Sequence, residues 1–343
     1  MKNKTGLVYG AAFGAALVLT GGFARQAQAA DGLPGDEIAL PGGTNLLALY
    51  NEFSNAGSFG AADTGGTVGH NTRIADDVTI LRDVYYFNLG SYTALVQGYI
   101  PYVGFTGNQG LALNASAATL GQPAHANLSA NSGFAQPNLG VGFWPVNHPD
   151  TGTYLVLAAW VSPPVSSFSK NYDLQPGTQN VWTYEMDAGG RATIFGTPET
   201  KNLALSLWAF GYAYGANRHS AAVTPSVTIP AYDVTTAQSA VDATFHEQPT
   251  LELRAYAPYE FFPETHAFIA PGIFQSFGGK QTYNIHNGPA IDSGSRTNET
   301  QLRLVAGSFV SQTVQVMLIG EYDLANHGGP LSRSVEFRIF KLF

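Results

Sequence analysis

The chain contains no cysteine, and only 12% of its 343 residues are charged. Without cysteine, no disulfide framework can hold the fold together. A soluble protein normally carries about 25% charged residues, so this deficit disfavours an ordinary soluble surface. Aromatic residues make up 12% of the chain, and this content excludes disorder because disordered chains lack aromatic side chains.

Long apolar runs are also missing beyond the N-terminus. The longest run, Tyr154 to Val161, has eight residues, far fewer than the roughly 20 that a transmembrane helix needs. The 39 glycines and 19 prolines are spread along the chain, which disfavours long helices of any kind. Two main classes remain, namely a large soluble β-sandwich or β-helix and a membrane β-barrel.

The N-terminus predicts export. Lys2 and Lys4 precede an apolar stretch over residues 7–24, and Ala27-Gln28-Ala29 forms a cleavage site, so we predict a signal peptide over residues 1–29. Its removal takes away Lys2, Lys4 and Arg25 and no acid, which leaves 13 basic and 24 acidic side chains and a net charge of −11. This balance argues against nucleic acid as a partner.

The mature sequence alternates apolar and polar side chains with the period of two that is typical of β-strands. The clearest example runs from Val181 to Ile194, where Trp182 and Tyr184 alternate with Glu185 and other polar residues. In a soluble sandwich this pattern would place the aromatic side chains in a core. In a membrane barrel it would place them in lipid and the charges in the lumen.

The pattern predicts twelve strands that are joined alternately by short turns and by long loops. An even strand number with segregated loop lengths is typical of an outer-membrane barrel. We therefore predict an all-β fold over residues 44–343: a transmembrane antiparallel up-and-down β-barrel of about 12 strands, with short periplasmic turns and long extracellular loops. The predicted strands cover residues 44–54, 76–88, 91–105, 134–146, 152–163, 180–195, 202–214, 249–261, 265–278, 298–309, 312–325 and 333–343.

The segments outside these strands have compositions of their own. Residues 30–43, which are rich in proline and glycine, predict either a flexible periplasmic leader or a short plug that enters the lumen. The longest gaps, 55–75, 107–133 and 215–248, predict solvent-facing external loops. The terminal Phe343, with apolar residues alternating back from it, is typical of the insertion signal of outer-membrane barrels.

The sequence contains no motif for catalysis or metal binding. None of the eight histidines lies in a G-x-S-x-G context, and no H-E-x-x-H is present. Asp63, Asp76 and Asp77 lack the spacing of a calcium-binding EF-hand. We therefore predict no catalytic residue, no metal and no cofactor. A barrel lipase or protease that uses His219 or His266 is the least favoured alternative.

Charged residues on the polar strand faces predict the lumen wall. Because both signs occur, one interpretation is an interior salt-bridge network that keeps the barrel rigid. The other is that Arg191, Arg254, Arg303 and Arg338 attract the carboxylate or polar head of a solute. The charged lumen candidates are Glu185, Asp187, Arg191, Glu252, Arg254, Glu260, Arg303, Glu321, Asp323, Glu336 and Arg338.

Two strands lack a polar face. Tyr154 to Val161 is apolar on both faces, and Leu203 to Tyr214 places leucines opposite Trp208, Phe210 and Tyr212. One face of each strand must look inward, so part of the lumen should be apolar, which favours a route for hydrophobic solutes. The alternative is that these aromatic residues form the girdle at the lipid interface, with the inner face packed against loops or the leader.

Several short motifs give the chain a family resemblance. It resembles the meta-pathway phenol-degradation (phenol MetA) family of outer-membrane β-barrels, often called transporters. The resemblance implies passage of aromatic or other hydrophobic compounds into a Gram-negative cell, and it supplies no binding residues. Relatives tend to carry an acid where this chain has Gln136, and Pro-Thr-Gly where it has Ser162-Pro163-Pro164-Val165. The motifs are residues 42–47 (GGTNLL), 99–102 (YIPY), 133–139 (GFAQPNL), 143–145 (FWP), 256–261 (YAPYEF) and 271–274 (PGIF).

These observations predict an outer-membrane channel for passive uptake of small hydrophobic or aromatic compounds, with outer-membrane lipid and lipopolysaccharide around it. The alternative is a structural or surface-interaction barrel whose lumen is plugged. The sequence does not indicate the oligomeric state.

Overall fold

The computed structural model describes residues 32–60, 67–113, 124–176, 180–224, 226–229, 234–292 and 298–343. The predicted signal peptide and Asp63 lie outside these residues. The described residues form 22 β-strands and a 3₁₀ turn at Pro263–Thr265. The strands are β1 (Asn45–Gly60), β2 (Thr67–Leu89), β3 (Tyr92–Phe105), β4 (Gly110–Leu113), β5 (Ala124–Asn127), β6 (Gly133–Phe134), β7 (Asn138–His148), β8 (Thr153–Ser162), β9 (Thr183–Phe195), β10 (Asn202–Tyr214), β11 (Ala216–Thr224), β12 (Ser226–Ile229), β13 (Val234–Thr235), β14 (Ser239–Glu247), β15 (Thr250–Tyr256), β16 (Tyr259–Phe262), β17 (Ala267–Gly278), β18 (Gln281–Ile285), β19 (Ala290–Asp292), β20 (Glu299–Ser311), β21 (Val314–Asn326) and β22 (Pro330–Leu342).

Twelve wall strands form a closed antiparallel barrel, as the sequence predicts. The order around the wall is β1, β2, β3, β7, β8, β9, β10, β15 together with β16, β17, β20, β21 and β22. A long ladder between β1 and β22 closes the ring, with Leu46 opposite Leu342 and Phe59 opposite Pro330. Closure leaves no free sheet edge in the wall, which a membrane span requires because lipid cannot hydrogen-bond to exposed backbone.

The two faces of the wall differ in the way that the period of two predicts. Most outward positions are apolar, and they include Leu81, Val141, Leu253 and Leu318. Exposed aromatic side chains gather near both ends of the wall, the arrangement expected of girdles at the two lipid interfaces. Those near the short turns include Tyr92, Phe195 and Phe262, and those near the long loops include Phe53, Tyr102, Trp182 and Tyr184.

Short turns collect at the end of the barrel where β1 begins and β22 ends, and we call this the turn end. The turns occupy residues 90–91, 149–152, 196–201, 263–266 and 312–313. In barrels of this class the short turns face the periplasm. No helix among the described residues is long and apolar enough to cross a membrane.

Three predicted loops contain strands. Most of residues 55–75 belongs to β1 and β2, which continue as a long hairpin with only residues 61–66 between them. Residues 107–133 contain β4, β5 and the first residue of β6, and residues 215–248 contain β11 to β14. Residues 107–133 and 215–248 still connect wall strands as predicted, but they are not irregular. Their strands pair with one another, as β5 does with β4 and β12, and β4 and β6 also pair with the wall strands β2 and β3.

A second sheet lies outside the wall order. It consists of β11, β14, β18 and β19, and its apolar face centres on Phe245 and Tyr283, whose rings are 5.2 Å apart. Val181, Ala222 and Ala243 pack around these rings. Because β11, β14 and β18 lie between wall strands in the chain, this sheet forms a cap at the loop end.

Prolines interrupt the wall in two places. The predicted strand 249–261 is divided at Ala257 and Pro258, and the predicted strand 134–146 is divided between β6 and β7. Proline has no N–H to donate to a ladder, so the pairing must stop or bulge there. Single backbone hydrogen bonds bridge the breaks, such as Ala257 N–H to Pro271 O at 3.0 Å and Ala204 N–H to Pro258 O at 3.0 Å.

Candidate functional site

All eleven residues that are predicted to line a solute path lie on inward positions of the barrel wall. Ten of them are buried, and the remaining one, Arg191, is half-buried and lines a cavity. Their inward orientation follows from strand periodicity. Their role in binding a solute remains a prediction. The residues are Glu185, Asp187, Arg191, Trp208, Phe210, Tyr212, Glu252, Arg254, Arg303, Glu336 and Arg338.

One side of the lumen is lined by large aromatic rings, and we call Tyr86, Tyr99, Trp144, Trp160 and Trp208 the aromatic wall. These residues come from β2, β3, β7, β8 and β10, which follow one another around the barrel except for β9. The ring centres of Tyr86 and Trp144 are 5.7 Å apart, as are those of Tyr99 and Trp160. The structure thus places Trp208, Phe210 and Tyr212 inside the barrel rather than in a lipid girdle.

Glycine makes room for two of these rings. Gly140 on β7 is the cross-strand partner of Trp160, and Gly189 on β9 is the partner of Trp208. A Cβ atom added to either glycine would overlap the neighbouring indole ring. The indoles can therefore lie along the wall instead of projecting across the lumen. The Gly189-Gly190 pair inside an alternating strand is the sequence signal for this arrangement.

The polar atoms of Tyr99 and of the three tryptophans in the aromatic wall have hydrogen-bond partners. Trp160 Nε1 donates to Asp187 Oδ2 at 2.6 Å, and Asn138 Nδ2 donates to the Tyr99 hydroxyl at 2.6 Å. Because these hydrogen bonds satisfy the ring edges, the faces that remain are apolar. Such faces suit contact with an apolar or aromatic molecule.

The other side of the lumen carries buried charge, and we call Glu252, Arg254, Arg303, Glu321 and Arg338 the ionic wall. Arg254 lies 3.2 Å from Glu252, and Arg303 lies 3.1 Å from Glu321. Each cation of the ionic wall is thus paired with an acid, since Arg338 also has an acidic partner. This arrangement favours the interior network that stiffens the barrel, because a buried charge needs a partner.

Arginines of the ionic wall also stack on rings. The Arg254 guanidinium lies 4.5 Å from the centre of Phe210, and that of Arg303 lies 4.6 Å from the centre of Phe274. Gln301 links Arg303 to Asp323, which in turn accepts hydrogen bonds from Ser332. The network therefore extends over β15, β17, β20, β21 and β22.

Residues 32–40 lie inside the barrel at the junction of the two walls, and we call them the N-terminal segment. Glu37 is fully buried there. Its carboxylate accepts hydrogen bonds from Ser206 Oγ, from Trp208 Nε1 at 3.1 Å and from the Gly35 N–H at 2.7 Å. Its backbone carbonyl accepts one from Trp144 Nε1 at 2.6 Å.

Asp36 ties the same segment to the ionic wall. Its Oδ1 atom lies 2.8 Å from Arg338 Nη1, and its Oδ2 atom accepts the Leu33 N–H at 3.2 Å. Leu33 is buried against Tyr256 and other inward side chains. Both acids were missed by the sequence analysis, because a short segment without periodicity gives no sign of what it will contact.

The N-terminal segment divides the free space of the lumen. A cavity of about 290 Å³ lies between it and the turn end, and we call this the vestibule cavity. A second space of about 40 Å³ lies among Arg82, Trp144 and Trp160. Arg82 and its partner Gln97 were also missed, although both lie on inward positions of predicted strands.

The predicted enzyme candidates do not assemble a catalytic group in the described part of the chain. His266 Nδ1 lies 2.9 Å from Glu260 Oε1, and no serine is hydrogen-bonded to its ring. The hydrogen bond that the His266 ring donates to the Glu260 carboxylate raises the pKa of His266 above its usual value. The backbone N–H of His219 donates a hydrogen bond to the Asn217 side chain, and among the described residues no serine is hydrogen-bonded to the His219 ring. The described residues hold no group of three or more metal-binding side chains.

Twelve antiparallel strands, a closed seam, a lipid-facing apolar surface and a buried polar and aromatic interior define an outer-membrane β-barrel. Residues 56–338 match the family model described as "Putative MetA-pathway of phenol degradation", and the chain belongs to that family. No curated protein sequence matches the chain.

Solved structures share the fold. The COG4313 outer membrane channel from Pseudomonas putida F1 is 20% identical, with a TM-score of 0.69 over 91% of this chain and 100% of that one. The transport unit of the autotransporter AIDA-I from Escherichia coli is 12% identical, with a TM-score of 0.49 over 98% and 99%. The Pseudomonas putida toluene transporter TodX is 9% identical, with a TM-score of 0.42 over 96% of each chain. The last two likenesses are too loose to support an argument.

Proposed function

We propose that the protein is a passive outer-membrane channel for small hydrophobic or aromatic compounds. The observation that carries this proposal is the aromatic wall, which lines one side of the lumen from β2 to β10. A general porin has a polar, water-filled lumen. Membership in a family described by phenol degradation, and the likeness to an outer membrane channel, support the same function.

In this proposal the N-terminal segment is a plug that moves aside. The two free spaces lie on either side of it, so a solute that follows the aromatic wall must displace it to reach the turn end. The segment is held by a few hydrogen bonds and one ion pair rather than by a ladder. Local contacts of this kind open at lower free energy than strands of the wall.

Uptake across a lipopolysaccharide barrier tests the proposal. Vesicles with lipopolysaccharide in the outer leaflet are required, because bare phospholipid passes neutral aromatic solutes without help. We expect radiolabelled phenol to enter protein-containing vesicles faster than empty ones. The protein should increase the rate of entry of a sugar of similar size much less.

A matched pair of variants on β8 makes the test specific to the lumen. Ala158 borders the inner free space, whereas Ala159 faces lipid. We expect Ala158→Trp to lower phenol uptake severalfold because it fills the path, and Ala159→Trp to leave uptake unchanged. Equal uptake by empty vesicles, or equal effects of the two variants, would contradict the proposal.

A plugged surface-interaction barrel is the second candidate, and the buried N-terminal segment favours it. In that function the cap sheet would bind the partner, and no solute would pass through the lumen. It would be supported if phenol uptake were absent while the protein still bound a partner at the cell surface.

A further inference from the structure

The vestibule cavity contains a cation, Arg191, that has no hydrogen-bond or ion-pair partner in the part of the chain that the structure describes. Arg191 on β9 points into this cavity from a position opposite Tyr154 on β8 and Ser206 on β10. Among the described residues, no hydrogen bond or ion pair reaches its guanidinium group. The arginines of the ionic wall differ, since each of them is paired with an acid.

Other charges that border the cavity are neutralised in pairs. Arg338 is paired with Asp36 at 2.8 Å, and His266 is hydrogen-bonded to Glu260 at 2.9 Å. Glu37 lies close enough for Arg191 to act on it electrostatically, but Ser206, Trp208 and Gly35 already donate to its carboxylate. Within the described residues, the cavity therefore has one guanidinium, that of Arg191, whose five N–H donors are not used by another side chain.

The rest of the lining is mostly apolar and encloses a small volume. The rings of Tyr154, Phe268, Phe309 and Phe340 border the space, and Leu40 of the N-terminal segment closes part of it. The volume of about 290 Å³ lies just below the range of typical ligand pockets, about 300–1,000 Å³. Such a pocket suits one aromatic ring or a short alkyl chain.

We propose that the vestibule cavity binds a small organic monocarboxylate, with its carboxylate on Arg191 and its apolar body against Tyr154, Phe268 and Phe340. Guanidinium is the side chain whose planar fork matches a carboxylate with two parallel hydrogen bonds. The binding site stands on its own geometry. The proposed function is needed only for the further statement that this is the last site a solute occupies before it reaches the periplasm.

Equilibrium binding to the purified full-length barrel in a neutral detergent tests this proposal. The probes are benzoate, benzyl alcohol and acetate, which separate the charge from the ring. We expect benzoate to bind most tightly, because it alone offers both groups. Wild-type protein is enough for this comparison, so the result does not depend on any variant folding correctly.

Variants of Arg191 then test whether its guanidinium binds the carboxylate. We expect Arg191→Gln to weaken benzoate binding about ten- to hundredfold, the range for a lost hydrogen bond to a charged group, while benzyl alcohol binding stays unchanged. Arg191→Lys should fall between the two proteins, since it keeps the charge and loses the planar fork. Lys201→Gln is the matched control, because Lys201 is exposed at the same end of the barrel and does not border the cavity.

Three results would overturn the inference: benzoate binding no tighter than benzyl alcohol, unchanged benzoate binding by Arg191→Gln, or an equal loss in Lys201→Gln. The phenol uptake experiment separates this inference from the proposed function. Phenol uptake without binding of benzoate at Arg191 would remove this site and keep the channel. Benzoate binding at Arg191 without phenol uptake would keep the site and remove the channel.

Discussion

At the scale of single residues, Arg303 shows how the lumen holds charge. Its guanidinium lies 3.1 Å from Glu321, donates to Gln301 and stacks 4.6 Å from the centre of Phe274. Glu321 lies on β21 and Phe274 on β17, whereas Gln301 lies two positions before Arg303 on the same strand, β20. Removing the cation would leave the Glu321 carboxylate, whose side chain is only 13% exposed, without its ion-pair partner.

We therefore expect Arg303→Met to lower the free energy of unfolding by about 3 kcal/mol, the cost of breaking a buried pair by removal of one partner. Arg333→Met is the matched control, because Arg333 is exposed on β22, and it should change stability by less than about 0.5 kcal/mol. Urea unfolding of the refolded barrel measures both. Equal losses in the two variants would show that the pair contributes nothing specific.

The sequence predicts residue orientation well and residue pairing poorly. The inward positions of Glu252, Arg254 and Arg303 follow from the period of two within each strand. Which acid meets which arginine depends on register and on side-chain reach across the wall. For the same reason, the sequence could not distinguish Arg338, which is paired with Asp36, from Arg191, which has no acid paired with it among the described residues.

At the scale of elements, the N-terminal segment decides whether the lumen is continuous. It forms no ladder and is held by the side chains of Asp36 and Glu37 and by its buried Leu33. Three hydrogen bonds end on the Glu37 carboxylate. A hydrogen bond to a charged group contributes about 1.5–3 kcal/mol, so the loss of this carboxylate should shift the segment toward its displaced state at least about tenfold.

We expect Glu37→Ala to raise phenol uptake severalfold in the lipopolysaccharide vesicles. Glu264→Ala is the matched control, since Glu264 is an exposed acid of the turn at residues 263–266, and it should not change uptake. Unchanged uptake by Glu37→Ala in a correctly folded barrel would show that the segment does not limit passage.

At the scale of the whole molecule, the barrel and the cap sheet are separate sheets that meet where Tyr214 of β10 and Val181 pack against the apolar cluster of the cap. The pairing of wall strands β10 and β15 extends as far as Tyr212 opposite Thr250, and the first strand of the cap, β11, begins four residues later at Ala216. The cap has its own apolar cluster around Phe245 and Tyr283. Neither unit shares a ladder with the other.

We therefore expect that replacing residues 216–247 with a short turn leaves a folded barrel with unchanged phenol uptake. The shift in gel mobility on heating measures barrel folding, and vesicle uptake measures the channel. A folded barrel that no longer takes up phenol would place the cap on the solute path. Loss of a surface-binding phenotype with uptake intact would favour the interaction function instead.

The sequence by itself determined the class of fold, the number of wall strands and the face on which each wall residue lies. These properties depend on local periodicity, on turn residues and on the lack of a long apolar run, and all three can be counted along the chain. Only the tertiary structure decided that residues 32–40 enter the lumen and that aromatic and ionic side chains occupy opposite sides of it. It also decided that Arg191, alone among the four arginines predicted to attract a solute, has no paired acid within the described residues. These properties depend on contacts between distant segments, because closure of the barrel brings together side chains that no sequence spacing relates.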